Sequence, residues 1–156
     1  MTDPTPVPAF DADNFMARYR AFEQRAEALH PANKTALFAA LAAADITSVA
    51  IIFDGCGDSG QIDSVTAKAG AHDASLPDTP VELASTEFHS DEVTRKTMSL
   101  ADAIEAFCYD VLESKHGGWE NNEGAFGEFV FDVSAQTVAF DFNYRIERSE
   151  SHFYEL

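Results

Sequence analysis

In the stretch Glu128-Phe129-Val130-Phe131-Asp132-Val133-Ser134-Ala135-Gln136-Thr137-Val138-Ala139-Phe140-Asp141-Phe142-Asn143-Tyr144, large apolar residues recur at every second position. Phe129, Phe131 and Val133 fall on one face of a first strand, and Val138, Phe140, Phe142, Tyr144 and Ile146 on one face of a second. That period of two marks half-buried strands, and Ser134-Ala135-Gln136 predicts the hairpin between them. The opposite faces carry Glu128, Asp132, Asp141 and Asn143, which predicts a sheet covered on one side and wet on the other.

Upstream of this hairpin the period changes. Ile104, Phe107, Cys108, Val111 and Leu112 repeat at helical spacing after Ser99 and Asp102, an approximate capping box. Gly117-Gly118 stops this long helix and opens the loop Trp119-Glu120-Asn121-Asn122-Glu123-Gly124. Further back, Thr47 to Phe53 is β-branched and apolar on both faces, which predicts an interior strand. Asp54-Gly55-Cys56-Gly57-Asp58-Ser59-Gly60 then predicts a tight loop with residues at positive φ, and Gln61 to Ala69 a returning strand. Residues 70–80 read as a loop and Val81 to Ala84 as a short edge strand. Near the start, Asp11 or Asp13 caps a helix carrying Phe15, Tyr19, Phe22 and Leu29. Pro31 ends it, and Asn33 caps a second helix with Leu37, Phe38 and Leu41. Residues 1–10, with prolines at 4, 6 and 8, predict a flexible arm before one domain spanning 11–156.

The expected fold is therefore α+β: an N-terminal helical hairpin, a mainly antiparallel sheet of four to five strands, and one long helix before a C-terminal β-hairpin. The 156 residues include 13 phenylalanines and are 46% hydrophobic, enough for one core. The formal net charge is −17, which argues against direct nucleic-acid binding and against an anionic membrane surface, and points to basic proteins or cations as partners. The charge is uneven. Residues 45–92 hold ten acids against Lys68, and 117–156 hold eight against Arg145 and Arg148. No apolar run approaches the roughly 20 residues of a spanning helix. Met1 to Pro8 has neither the basic start nor the apolar run of a secretory signal, and Cys56 and Cys108 stand far apart with no C-x-x-C pair. A cytoplasmic location with reduced thiols is expected.

Two segments hold the candidate functional residues. Around the first glycine-rich loop, Asp54, Asp58 and Asp63 suit a hard divalent cation, although Cys56 and Val65 stand where a calcium-binding EF-hand loop needs other ligands. An ordinary turn explains the same residues. Ser59 lies in this loop without the G-x-S-x-G setting of a serine nucleophile. The second segment gathers His116, Trp119, Glu120, Asn121, Asn122 and Glu123. His116 and Glu120 suit an acid/base pair, or Asp54, Asp58 and Glu120 a shared metal site if the loops converge. A helix cap with a core-edge Trp119 is the favoured reading, since such cap residues are common without catalysis.

At these two segments, Phe53-Asp54-Gly55-Cys56-Gly57-Asp58-Ser59-Gly60-Gln61 and His116-Gly117-Gly118-Trp119-Glu120-Asn121-Asn122-Glu123-Gly124, the chain resembles a family of small uncharacterised bacterial proteins often encoded on plasmids and mobile elements. The resemblance runs from about Thr35 to the C-terminus and leaves the first helix as an extension. It implies no activity, and Cys56 stands where serine is expected, which weakens any thiol mechanism. The mobile-element setting suggests a role in host or plasmid conflict.

The leading expectation is a non-enzymatic acidic interaction domain, in its sharpest form an inhibitor that imitates nucleic-acid charge in the basic groove of a defence or DNA-processing protein. A divalent-metal-binding module or metal-dependent enzyme is the alternative. A structural subunit that turns Phe15, Tyr19 and Phe22 toward a partner is a third, although aromatic stripes at this spacing usually pack inward.

Overall fold

The computed structural model describes residues 11–56, 59–88, 92–121 and 123–156. The arm expected over residues 1–10 lies outside them, as do Gly57, Asp58 and Asn122. Helix α1 (Ala12–Ala28) begins where the Asp11 carboxylate accepts the Asn14 backbone N–H at 3.0 Å. Leu29 keeps right-handed helical angles, so α2 (His30–Ala43) follows almost at once and the pair forms a bent helical hairpin. Pro31 sits in the first turn of α2, where a missing N–H does no harm, and starts the second helix instead of ending the first.

Asn33 is not a cap. It is buried inside α2, donating its side-chain amide to Ala84 O at 2.9 Å and accepting the Ala84 N–H at 2.8 Å. This pairs a helix side chain with a strand backbone as a neighbouring strand would. The strand is β4 (Pro80–Thr86), which among the described residues pairs with β5 (Val93–Ser99) in a separate antiparallel ribbon.

The main sheet has five antiparallel strands in the order β3 (His72–Ala74), β2 (Ser59–Ala69), β1 (Ser48–Cys56), β6 (Ala125–Asp132) and β7 (Thr137–Tyr144). The first predicted strand is central, as its apolar character implies. Two details differ from expectation. Residues 70–80 contain the short edge strand β3, and Val81 to Ala84 belong to the ribbon. The final strand ends at Tyr144, leaving Ile146 87% exposed.

Val49, Ile51, Phe53, Ala67, Phe129 and Phe131 point from the sheet into the core, where they meet Leu37, Phe38 and Leu41 of α2. Helix α3 (Leu100–His116) adds Ile104, Phe107, Cys108, Val111 and Leu112, the positions its period predicts. Each such side chain withdrawn from water contributes about 1.5–3 kcal/mol. Ser99 caps α3, accepting the Asp102 N–H at 3.3 Å. Between Ile52 and Phe53 the β1–β2 register shifts, so Asp63 is an extra residue; Tyr109 of α3 accepts the adjacent Ile62 N–H at 2.9 Å. No helix among the described residues is long and apolar enough to cross a membrane.

Candidate functional site

The two glycine-rich segments meet, and an indole joins them. Gly55 of β1 and Gly60 of β2 are directly paired, and Trp119, 3% exposed, lies across both. A Cβ on Gly55 would stand 2.6 Å from Trp119 Cζ3, and one on Gly60 2.8 Å from Cζ2. The ring also meets Phe53 edge-on at 5.6 Å. These glycines therefore make a slot, whereas the sequence predicts a positive-φ turn. Asp54 to Cys56 and Ser59 to Gly60 are strand, and the described glycines at positive φ are Gly70, Gly118 and Gly124.

Arg145 closes the same corner from just beyond β7. Its Nη1 donates to Gly55 O at 2.8 Å and to Ala125 O at 3.3 Å, and its Nη2 pairs with Asp54 Oδ1 at 2.9 Å. Its backbone N–H donates to Gly124 O at 2.9 Å, and its guanidinium carbon lies 4.9 Å from the Phe126 ring centroid. Sequence reading assigns Arg145 no role, although it is one of only two cations in the last forty residues.

The candidate acids separate across β1. Asp54 lies on the outer face with Arg145, and with Cys56, Ser59, Gln61 and Asp63 it lines a shallow hollow of about 310 Å³. Glu120 lies on the other side, since its Cα would be 3.0 Å from a Cβ on Gly55, the next residue along the strand. Asp54 and the backbone of Glu120 therefore lie on opposite faces of β1. Asp58 lies outside the described residues, and among those described no group of three His, Cys, Asp or Glu side chains is placed to hold a metal ion.

His116 stacks on Phe142 with ring centroids 3.7 Å apart and planes 3° apart, and its Nδ1 is 3.1 Å from the Tyr144 hydroxyl. Asn121 accepts the Gly124 N–H and donates its own N–H to Gly118 O, both at 3.0 Å, forming the turn that carries Trp119 inward. Glu123 is exposed, and one carboxylate oxygen of Glu120 is enclosed without a hydrogen-bond partner. Most of the second segment thus positions an indole and terminates a helix.

The outer sheet face bears the charge. Successive cross-strand partners place Ser64, Ile52, Glu128 and Asp141 in one row, and Gln61, Asp54, Phe126 and Asn143 in the next. Ile52 and Phe126 are 44% and 42% exposed, and no helix among the described residues covers them. Asp73 and Asp132 extend the acidity toward the far end, where Lys68 lies opposite Asp73.

Helix α1 also departs from expectation. None of its residues is buried; Phe15, Tyr19 and Phe22 gather around Phe88 with ring centroids 5.5–5.9 Å away.

Fold and surface together define a small α+β domain with one helix-covered sheet face and one open acidic face. A family model described as a family of unknown function (DUF6878) matches residues 29–156, and the chain belongs to that family. The match begins at the bend between α1 and α2, six residues before Thr35, and leaves α1 outside. No curated protein and no solved structure matches the chain.

Proposed function

We propose that this protein is an acidic interaction domain whose open sheet face receives a basic protein. The observation that carries this reading is the cross-strand pair Glu128–Asp141, with exposed Ile52 beside Glu128. Like charges directly opposite each other destabilise a sheet, and neither acid contributes to the core. Facing a cationic surface, the same two charges become favourable and steer the encounter. Ile52 and Phe126 supply the apolar contacts that such an interface surrounds with polar groups.

A nucleic-acid-handling protein with a basic groove has the complementary chemistry. An acidic decoy acting in conflict between host and mobile element is the specific form we favour, and it is non-enzymatic. Purified basic nucleic-acid-handling proteins, tested by surface plasmon resonance from about 50 to 500 mM salt, examine this reading, since screening shortens the electrostatic range over that interval. Binding that falls with salt, and falls again in Glu128→Gln/Asp141→Asn, supports it. Absent or salt-insensitive binding overturns it.

A further inference from the structure

Where α1 bends into α2, a cleft of about 230 Å³ opens between the bend, β4 and the C-terminal half of α3. Its walls are unlike the sheet face. Tyr19 and Phe22 of α1 supply aromatic surface, Glu23 adds a carboxylate, α2 contributes His30, and α3 contributes Asp110 and Glu113. Among the described residues, none of the lining side chains is a lysine or arginine. We propose that this cleft binds an organic cation, an ammonium or guanidinium group, between the aromatic side chains of α1 and the carboxylates of α3.

The chemistry of the lining selects that class. Aromatic faces attract cations through the ring quadrupole, and carboxylates accept their N–H donors, whereas an anion would meet three acids. The volume is small for a large ligand and suits a single cationic head with a short stem. Asp110 and Glu113 support the same assignment. Asp110 and Glu113 keep much of their surface exposed, yet partial desolvation of their carboxyls on the cleft side raises both above their ordinary values, and Glu120 pushes Glu113 further in the same direction. His30 acts on Asp110 in the opposite direction. Such sites hold negative charge at a cost that an entering cation relieves. The aromatic wall comes from α1, outside residues 29–156, so the site combines family residues with an added helix.

The guanidinium or ammonium group has two sources, a free small amine or an arginine or lysine side chain of a protein. Calorimetric titration of the full chain with butylguanidine, butylamine, the neutral isostere butylurea and the peptide Gly-Arg-Gly distinguishes them. The expected result is binding of the cations, none of butylurea, and at least a tenfold loss in Asp110→Asn, with a smaller loss in Glu113→Gln and Tyr19→Ala. Binding of Gly-Arg-Gly as tight as butylguanidine assigns the cleft to a protein side chain, and weaker peptide binding assigns it to a free amine. Equal binding of butylurea, no binding of any cation at millimolar concentration, or unchanged affinity in both carboxamide variants overturns the proposal. Glu128→Gln/Asp141→Asn lies on the sheet face and leaves this binding unchanged, so failure here is separable from failure of the interaction reading.

Discussion

The indole of Trp119 rests against the bare backbone of Gly60, and a single added methyl would stand 2.8 Å from its Cζ2. The ring is rigid and 3% exposed, so it has little room to retreat. Gly60→Ala and Gly55→Ala are each expected to lower stability by about 1–3 kcal/mol, the usual range for overpacking. Trp119→Ala should lose about 3–5 kcal/mol through the cavity it leaves. Denaturant titrations give these values, and tryptophan emission in the glycine variants should shift to the red.

The Asn33–Ala84 amide pair fastens α2 to the β4–β5 ribbon. Removing it leaves a buried N–H and C=O without partners, each worth about 1–3 kcal/mol. Asn33→Ala should therefore destabilise by about 2–4 kcal/mol, and amide exchange at Ala84 should accelerate. Unchanged protection there would show that the clamp contributes nothing.

Much of this architecture is legible in the sequence, and the exceptions share a cause. The β6–β7 hairpin and α3 announce themselves because each buries one face along its whole length. Val93 to Ser99 does not, since β5 is exposed along most of its course and shows no alternation. Asn33 reads as a cap because its real partner is fifty-one residues away. Gly55 and Gly60 suggest turn chemistry, and only the docked Trp119 reveals that they are small to admit a ring. At the candidate site, the juncture of the two loops follows from sequence only as a possibility; the alternation of β1 turns Asp54 and Gly55 to opposite faces, and the docking of Glu120 on the Gly55 side comes from the tertiary fold.

The two cysteines should differ sharply in reactivity. Burial drives the Cys108 thiol far above its ordinary pKa, with Glu105 adding to the effect, while Cys56 is exposed. A thiolate is the reactive form. Ellman's reagent should titrate one thiol in the native protein and two in denaturant. Two native thiols, or a native signal surviving in Cys56→Ser, would contradict this placement.

Asp110 and Glu113 make a pH signature. Their folded-state pKa values lie above 3.8 and 4.5, so the folded chain binds more protons than the unfolded one as pH rises from those values. Their contribution to stability is therefore greatest at low pH and declines as pH rises through the raised pKa values. His30 acts on Asp110 in the lowering direction and moderates that decline, whereas Glu120 pushes Glu113 up and reinforces it. Asp110→Asn should flatten this part of the stability profile, measured by urea titration between about pH 4 and 7. A wild-type profile that climbs no less steeply than that of Asp110→Asn would refute the assignment.

Residue-resolved chemical-shift mapping with a lysine- and arginine-rich peptide tests the open face most directly. Shifts should concentrate at Ile52, Phe126, Glu128 and Asp141, and be lost in Glu128→Gln/Asp141→Asn but retained in the equally neutralised Glu27→Gln/Asp78→Asn. Shifts scattered over every acidic surface, with both double variants behaving alike, would mean that the protein offers only general charge and would contradict the proposed interaction.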